Sequence, residues 1–165
     1  LGRGLYALER YEEAAEAYEE FLERRPDSVG ALNQLGMTHH RLGAMETAET
    51  YYRRSLALEP DDSHTRSNLA MLLLEAGRLT EANETAPQAL EQDPDSLDLR
   101  QNLALVLEKQ ERLPEALALW REILEREPLH EAAAMQMERI RERLQATAKD
   151  GPQESEESPP PGPRQ

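Results

Sequence analysis

The chain has 165 residues, enough for one ordinary domain, but only 4% are aromatic while 32% are charged. A single globular core built on large apolar side chains is therefore not expected. The formal net charge of −14 sets the surface against phosphate backbones and anionic lipid headgroups, which argues against nucleic acid and membranes as partners, and the absence of cysteine removes disulfides, thiol catalysis and thiolate metal sites.

No apolar run approaches the roughly 18 residues of a membrane span, and no signal peptide is visible. A soluble protein without membrane insertion is expected, the cytoplasm slightly favoured over the periplasm. The chain opens on Leu1 rather than Met, as expected of a fragment or a processed form. Its two lysines, Lys109 and Lys149, stand against many arginines, a bias that fits a GC-rich bacterial gene.

Compared with itself at a shift of 34 residues, the chain aligns in register. The first unit, residues 1–28, starts inside a helix at Leu1-Gly2 and continues through Ala14, Tyr18, Leu22 and Pro26. The second, residues 29–62, predicts a helix from Val29 to Leu42 with Leu32, Leu35, His39 and Leu42 on one face. A turn at Gly43 follows, where a left-handed residue closes a helix cheaply. A second helix, Met45 to Leu58, buries Ala48, Tyr52 and Leu56, and Pro60 ends it. The third unit, residues 63–96, repeats Leu69-Ala70, Ala82, Leu90 and Pro94 but has Ala86 in place of the aromatic. It also carries Pro87 inside its second helix. A proline there removes the bond to the Asn83 carbonyl, so a kink or broken turn is predicted around 83–87. The fourth unit, residues 97–130, has Leu103-Ala104, Ala116, Trp120, Leu124 and Pro128. Glu131 to Ala146 then reads as a capping helix, with Ala133, Met137, Ile140 and Leu144 on the packing side and Arg139, Glu142 and Arg143 off it. From Thr147 to Gln165 the chain is Gly-, Pro-, Ser- and Glu-rich, the composition of a disordered acidic tail.

A Leu-Gly pair, an alanine, an aromatic and a final proline in 34 residues resemble the tetratricopeptide repeat family; Leu35-Gly36, Ala48, Tyr52 and Pro60 carry the match. The resemblance implies an all-α fold, a right-handed superhelical α-solenoid of antiparallel helix pairs. It implies a protein-interaction scaffold or adaptor, without enzymatic activity or cofactors, that holds a peptide or protein segment in its concave groove. A non-catalytic accessory domain of a larger glycosyltransferase, kinase or methyltransferase is the alternative, and self-association stays open as a third reading.

The inner face of such an array is lined by the first helix of each unit. There the second unit offers Asn33, Gln34, Met37, His40 and Arg41. The third offers Ser67, Asn68, Met71, Leu74 and Glu75. The fourth offers Gln101, Asn102, Leu105, Glu108 and Lys109. Gln34, Asn68 and Asn102 share one column, and an amide can pair with a peptide backbone whatever its sequence. The superhelix of O-linked N-acetylglucosamine transferases is similar in its asparagine ladder; a purely structural habit of the position is the competing reading. Met37, Met71, Leu74 and Leu105 form an apolar strip suited to an amphipathic or extended segment. Met71, Leu74 and Asn68 are expected to point away from helix packing, so that truncating them weakens binding without harming the fold. The chaperone-binding members of the family hold a C-terminal carboxylate with cations, whereas His64 and Asp98 stand here where a cation is wanted. An apolar partner segment with basic flanks is expected instead. Adjacent residues on a helix diverge, so His39 and His40 cannot readily chelate one ion, and no metal site is expected. The many surface carboxylates read as solvated partners of arginine.

Overall fold

The computed structural model describes the backbone of residues 1–149 and the side chains of residues 1–146. Among these residues there are nine helices and no strand: α1 (Gly2–Ala7), α2 (Tyr11–Arg24), α3 (Val29–Arg41), α4 (Met45–Leu58), α5 (Ser63–Glu75), α6 (Leu79–Gln92), α7 (Leu97–Lys109), α8 (Leu113–Arg126) and α9 (Glu131–Lys149). Each helix packs on its neighbours in the chain, and α5 also packs on α7 and α3. The result is an α-solenoid of helix pairs closed by α9. That last helix runs three residues past the expected Ala146, because no Gly or Pro interrupts the sequence before Gly151. The remainder of the predicted tail lies outside the described residues.

The repeated columns do the work anticipated for them. Ala14, Ala48, Ala82 and Ala116 are all fully buried, small enough for the two helices of each pair to close on one another. The glycines of the Leu-Gly pairs go further. A Cβ on Gly36 would lie 2.6 Å from the Tyr52 ring, and one on Gly2 would lie 2.8 Å from the Tyr18 ring. In the first two units the aromatic of the second helix thus rests on bare backbone of the first. Helix starts recur as well. Asp62, Ser96 and His130 occupy one column, and each accepts a hydrogen bond from a backbone N–H of the first turn, relieving donors that have no partner inside the helix.

Each first helix ends in the same way. Residues 9, 43, 77 and 111 all have a left-handed backbone, with φ of 59°, 75°, 75° and 59°. The amide after each reaches back to a carbonyl of the last helical turn, as in Ala44 to His39 and Arg78 to Leu73. Two of these positions are glycine, as the motif prefers, and two are glutamate. A side chain there strains the backbone. Glu111 recovers part of that cost through its pair with Arg143, whereas Glu9 has no ion pair among the described residues. Glu9→Gly is therefore expected to raise stability by about 0.5–1 kcal/mol, the strain relieved less the entropy of the added glycine. A urea midpoint that stays put or falls would contradict this account of the turn.

The broken turn, one of the two outcomes expected at Pro87, does not occur. Helix α6 runs without a break from Leu79 to Gln92 and carries Pro87 inside it. No turn is broken at 83–87, because packing holds the helix together despite the missing donor: Ala82, Ala86 and Ala89 line its buried face. The core falls into two clusters. One joins Ala14, Tyr18, Leu22, Leu32 and Leu35. The other runs from Ala48 and Tyr52 through Leu72, Leu73, Val106 and Trp120 to Ile140.

Candidate functional site

The inner face carries three concavities that share residues at their borders. The first, about 480 Å³, lies across α3, α5 and α7 and is lined by Asn33, Gln34, Met37, His64, Ser67, Asn68, Asp98, Leu99, Gln101 and Asn102. Met37 and Asn68 continue into a second of about 340 Å³, with Tyr6, His40, Arg41, Tyr52, Met71 and Glu75. Met71 and Glu75 continue into a third of about 810 Å³, where Leu74, Leu79, Leu105, Glu108, Lys109, Glu111, Arg139 and Arg143 complete the wall. The twelve groove residues expected from the sequence all lie on this joined surface.

Their exposure differs from expectation in two places. Leu74 is only 9% exposed and belongs to the larger core cluster. Ser67 is 4% exposed. Neither points away from helix packing, although both still touch the concave wall. Asn68 is also tied into the fold, since its Nδ2 donates to Asn33 Oδ1 at 2.9 Å. Asn102 Nδ2 donates to Ser67 Oγ at 2.7 Å. His40 Nε2 pairs with Glu75 at 2.9 Å, and Arg41 Nε donates to the Tyr6 hydroxyl at 3.1 Å. Each of these four bonds links residues 35 apart. Neighbouring first helices are thus offset by one residue from the repeat, and polar side chains stitch them across that offset. The amide column is therefore partly structural: each bond between units uses one donor and leaves the rest of the amide for a ligand.

Gln34 differs from the shorter amides below it. Its Oε1 accepts from the Tyr18 hydroxyl at 3.3 Å, and its Nε2 reaches Met37 Sδ at 3.7 Å. At the far end, Trp120 Nε1 donates to Glu108 Oε1 at 2.8 Å, and Arg139 of α9 pairs with the other oxygen of that carboxylate. The Arg41 guanidinium is held above its ordinary value first by its bond to Tyr6. Burial raises the Tyr52 phenol well above its usual range, so it stays a neutral donor.

Several wall residues had not been expected. Arg139 and Arg143 were read as facing water, yet they reach back to Glu108 and Glu111. Carrying the 34-residue register one step further would have found them. Arg139 falls in the column of Met37, Met71 and Leu105, and Arg143 in that of Arg41, Glu75 and Lys109. One step back, the same register would have found Tyr6, in the column of His40, Leu74 and Glu108, whereas Tyr52 carried no such signal because it read as core. The charged groups on the three walls are Arg41, Lys109, Arg139 and Arg143 against Glu75, Asp98, Glu108 and Glu111, four of each sign. The net −14 therefore belongs to surfaces outside the groove. No helix among the described residues is long and apolar enough to cross a membrane.

Tetratricopeptide repeat sequence profiles match residues 1–63 and 73–140. The chain belongs to the tetratricopeptide repeat family. Solved members share its fold. PilF of Pseudomonas aeruginosa superposes with a TM-score of 0.80 at 23% identity, over 91% of this chain and 69% of that one. A thermophilic tetratricopeptide protein of Thermus thermophilus gives 0.77 at 21% identity, over 85% and 77%. YrrB, described as having an unusual peptide-binding site, gives 0.70 at 17% identity, over 87% and 74%. No curated protein matches the sequence. Tetratricopeptide repeat proteins are generally non-catalytic scaffolds for protein interaction.

Proposed function

We propose that this tetratricopeptide array is an adaptor that holds a peptide or protein segment along the joined concavities of its inner face, by equilibrium binding without turnover. The observation that carries the reading is the continuous wall from Asn33 to Arg143, in which partly exposed apolar side chains alternate with amides that retain hydrogen-bonding capacity. Met37, Met71 and Leu105 are half-buried and share one column. A segment lying across them covers apolar surface at each repeat, while Gln34, Gln101 and the remaining valences of Asn68 and Asn102 meet its backbone.

Each methionine or leucine side chain newly removed from water contributes roughly 1.5–3 kcal/mol, whereas a backbone–amide pair adds about 0.5–1.5 kcal/mol net. The apolar strip supplies most of the affinity and the amides set direction. Lys or Arg flanks on the segment speed association through the acidic exterior, an advantage that fades as salt rises.

The test uses peptides selected from a displayed random library on the intact protein. Met71→Asp or Leu105→Asp is expected to weaken binding at least about tenfold, while Glu84→Lys on the exposed face of α6 leaves it unchanged. Melting curves run beside each variant separate lost binding from lost fold. Leu74 is unsuited to this test because its substitution breaks the core. Full affinity in both groove variants, with loss in the α6 variant, would move the binding surface to the outer face.

A further inference from the structure

In three of the four units an aromatic with a polar tip fills the same column, and its tip meets a different fate in each. The Tyr18 hydroxyl is bonded to Gln34, and the Trp120 N–H to Glu108. Tyr52 is fully buried, and its hydroxyl has no partner among the described residues. The cause is one methylene. Asn68 stands one repeat after Gln34, shorter by a carbon and turned to Asn33, so no described residue meets Tyr52 as Gln34 meets Tyr18.

The orphan is aimed at the groove. Its ring crosses α3 at Gly36, where even a Cβ would collide, and Tyr52 forms part of the wall of the concavity shared by Tyr6, Met37, Arg41, Met71 and Glu75. The charged groups of Arg41 and Glu75 stand around the same concavity. Glu75 is engaged by His40, and Arg41 gives only its Nε to Tyr6. Two kinds of donor therefore converge there: a neutral phenol that cannot ionise near pH 7, and the outer N–H groups of a guanidinium. A buried donor without an acceptor is a standing cost to the fold. Groups kept at such a cost are candidates for a ligand's use.

We infer that this concavity is a subsite for one side-chain carboxylate, an Asp or Glu of the segment docked in the groove, accepting from the Tyr52 hydroxyl and from Arg41. The assignment rests on the groove reading above and adds to it the residue the segment must carry. A carboxylate suits the pair because its two oxygens serve two donors at once, and hydrogen bonds to charged groups are the stronger ones. Met37 and Met71 line the same concavity, and their unbranched side chains can move aside as the carboxylate enters.

Substitution at Tyr52 separates this role from a structural one. Tyr52→Phe keeps the ring on Gly36 and removes only the unpartnered group. It is expected to raise the melting temperature by about 2–4 °C and at the same time to weaken carboxylate-bearing peptides about tenfold or more. Asn68→Gln supplies the reach that Gln34 has, and is expected to close the subsite with the same two signs. The probes are random 12-residue peptides displayed with their C-termini fused to the carrier, so that no terminal carboxylate is offered. Wild-type selections should enrich Asp or Glu at a fixed spacing from the apolar anchors. In synthetic copies, exchange of that residue for Asn or Gln should lose affinity in the wild type but not in Tyr52→Phe or Arg41→Ala. Peptides that depend on Met71 and Leu105 yet show no acidic preference would overturn the subsite and leave the groove standing. Failure to recover any groove-dependent peptide would overturn both. A Tyr52→Phe variant that melts lower than the wild type would show the hydroxyl to be satisfied within the fold, and the inference would fall.

Discussion

Trp120→Ala is expected to lower stability by about 3–5 kcal/mol, the largest loss available from one residue in this array. Trp120 is 1% exposed and heads the fully buried side chains by volume. It sits in the larger core cluster with Val106, Ile123 and Ile140, so its removal leaves a cavity where α7, α8 and α9 meet. It also strips Glu108 of the indole donor. That carboxylate is 4% exposed at the side chain and would keep only Arg139. A buried charge short of a donor adds to the cavity cost. The loss should be local, because a solenoid transmits stability mainly between neighbours and the first unit packs in a separate cluster with α3. Hydrogen exchange is expected to accelerate in α7 to α9 while α1 to α3 keep their protection. Since the chain has one tryptophan, unfolding of the variant is followed by circular dichroism. Equal loss across all units would show the array to be more cooperative than its two clusters imply.

Pro87→Ala should act in the opposite direction, raising stability by about 1–3 kcal/mol. In an ordinary helix interior proline costs about 3 kcal/mol relative to alanine. It removes one hydrogen bond and its ring crowds the preceding turn. Here α6 remains helical throughout, so the cost is borne by packing rather than by a break. Alanine restores the amide that the Asn83 carbonyl lacks, at the loss of some partly buried ring contact. The gain appears as a higher urea midpoint with an unchanged slope. A neutral or destabilised variant would mean that the helix has adjusted around the proline and that the ring packs better than alanine can.

How much of this was legible in advance follows from what each feature depends on. The position of α4 could be read to the residue, because Gly43 before it and Pro60 after it are backbone punctuation that acts locally. The small residues at Ala48 and Gly36 could be read because two helices in one unit must touch wherever the chain folds back. Helical periodicity put the twelve residues on one face of the first helices, the family resemblance made that face the inner one, and all twelve line the joined concavities. Their depth could not be read in advance. Leu74 lies one repeat after His40 and one before Glu108, and each meets a different environment. Whether such a position is wall or core depends on how the next unit is set against it. That offset shows in the bonds from residue 6 to 41, 33 to 68, 40 to 75 and 67 to 102, and no single unit encodes it.

The sequence by itself determined the repeat, the helix pairs and the positions of the turns. These are set by local sterics and by a hydrophobic period that repeats every 34 residues. The tertiary structure decided which polar groups on the inner face are already engaged. Gln34 reaches Tyr18, Asn68 turns to Asn33, and Tyr52 is left without an acceptor. Hydrogen bonds form over a few tenths of an ångström, so one methylene and the offset between two helices settle which donor stays open.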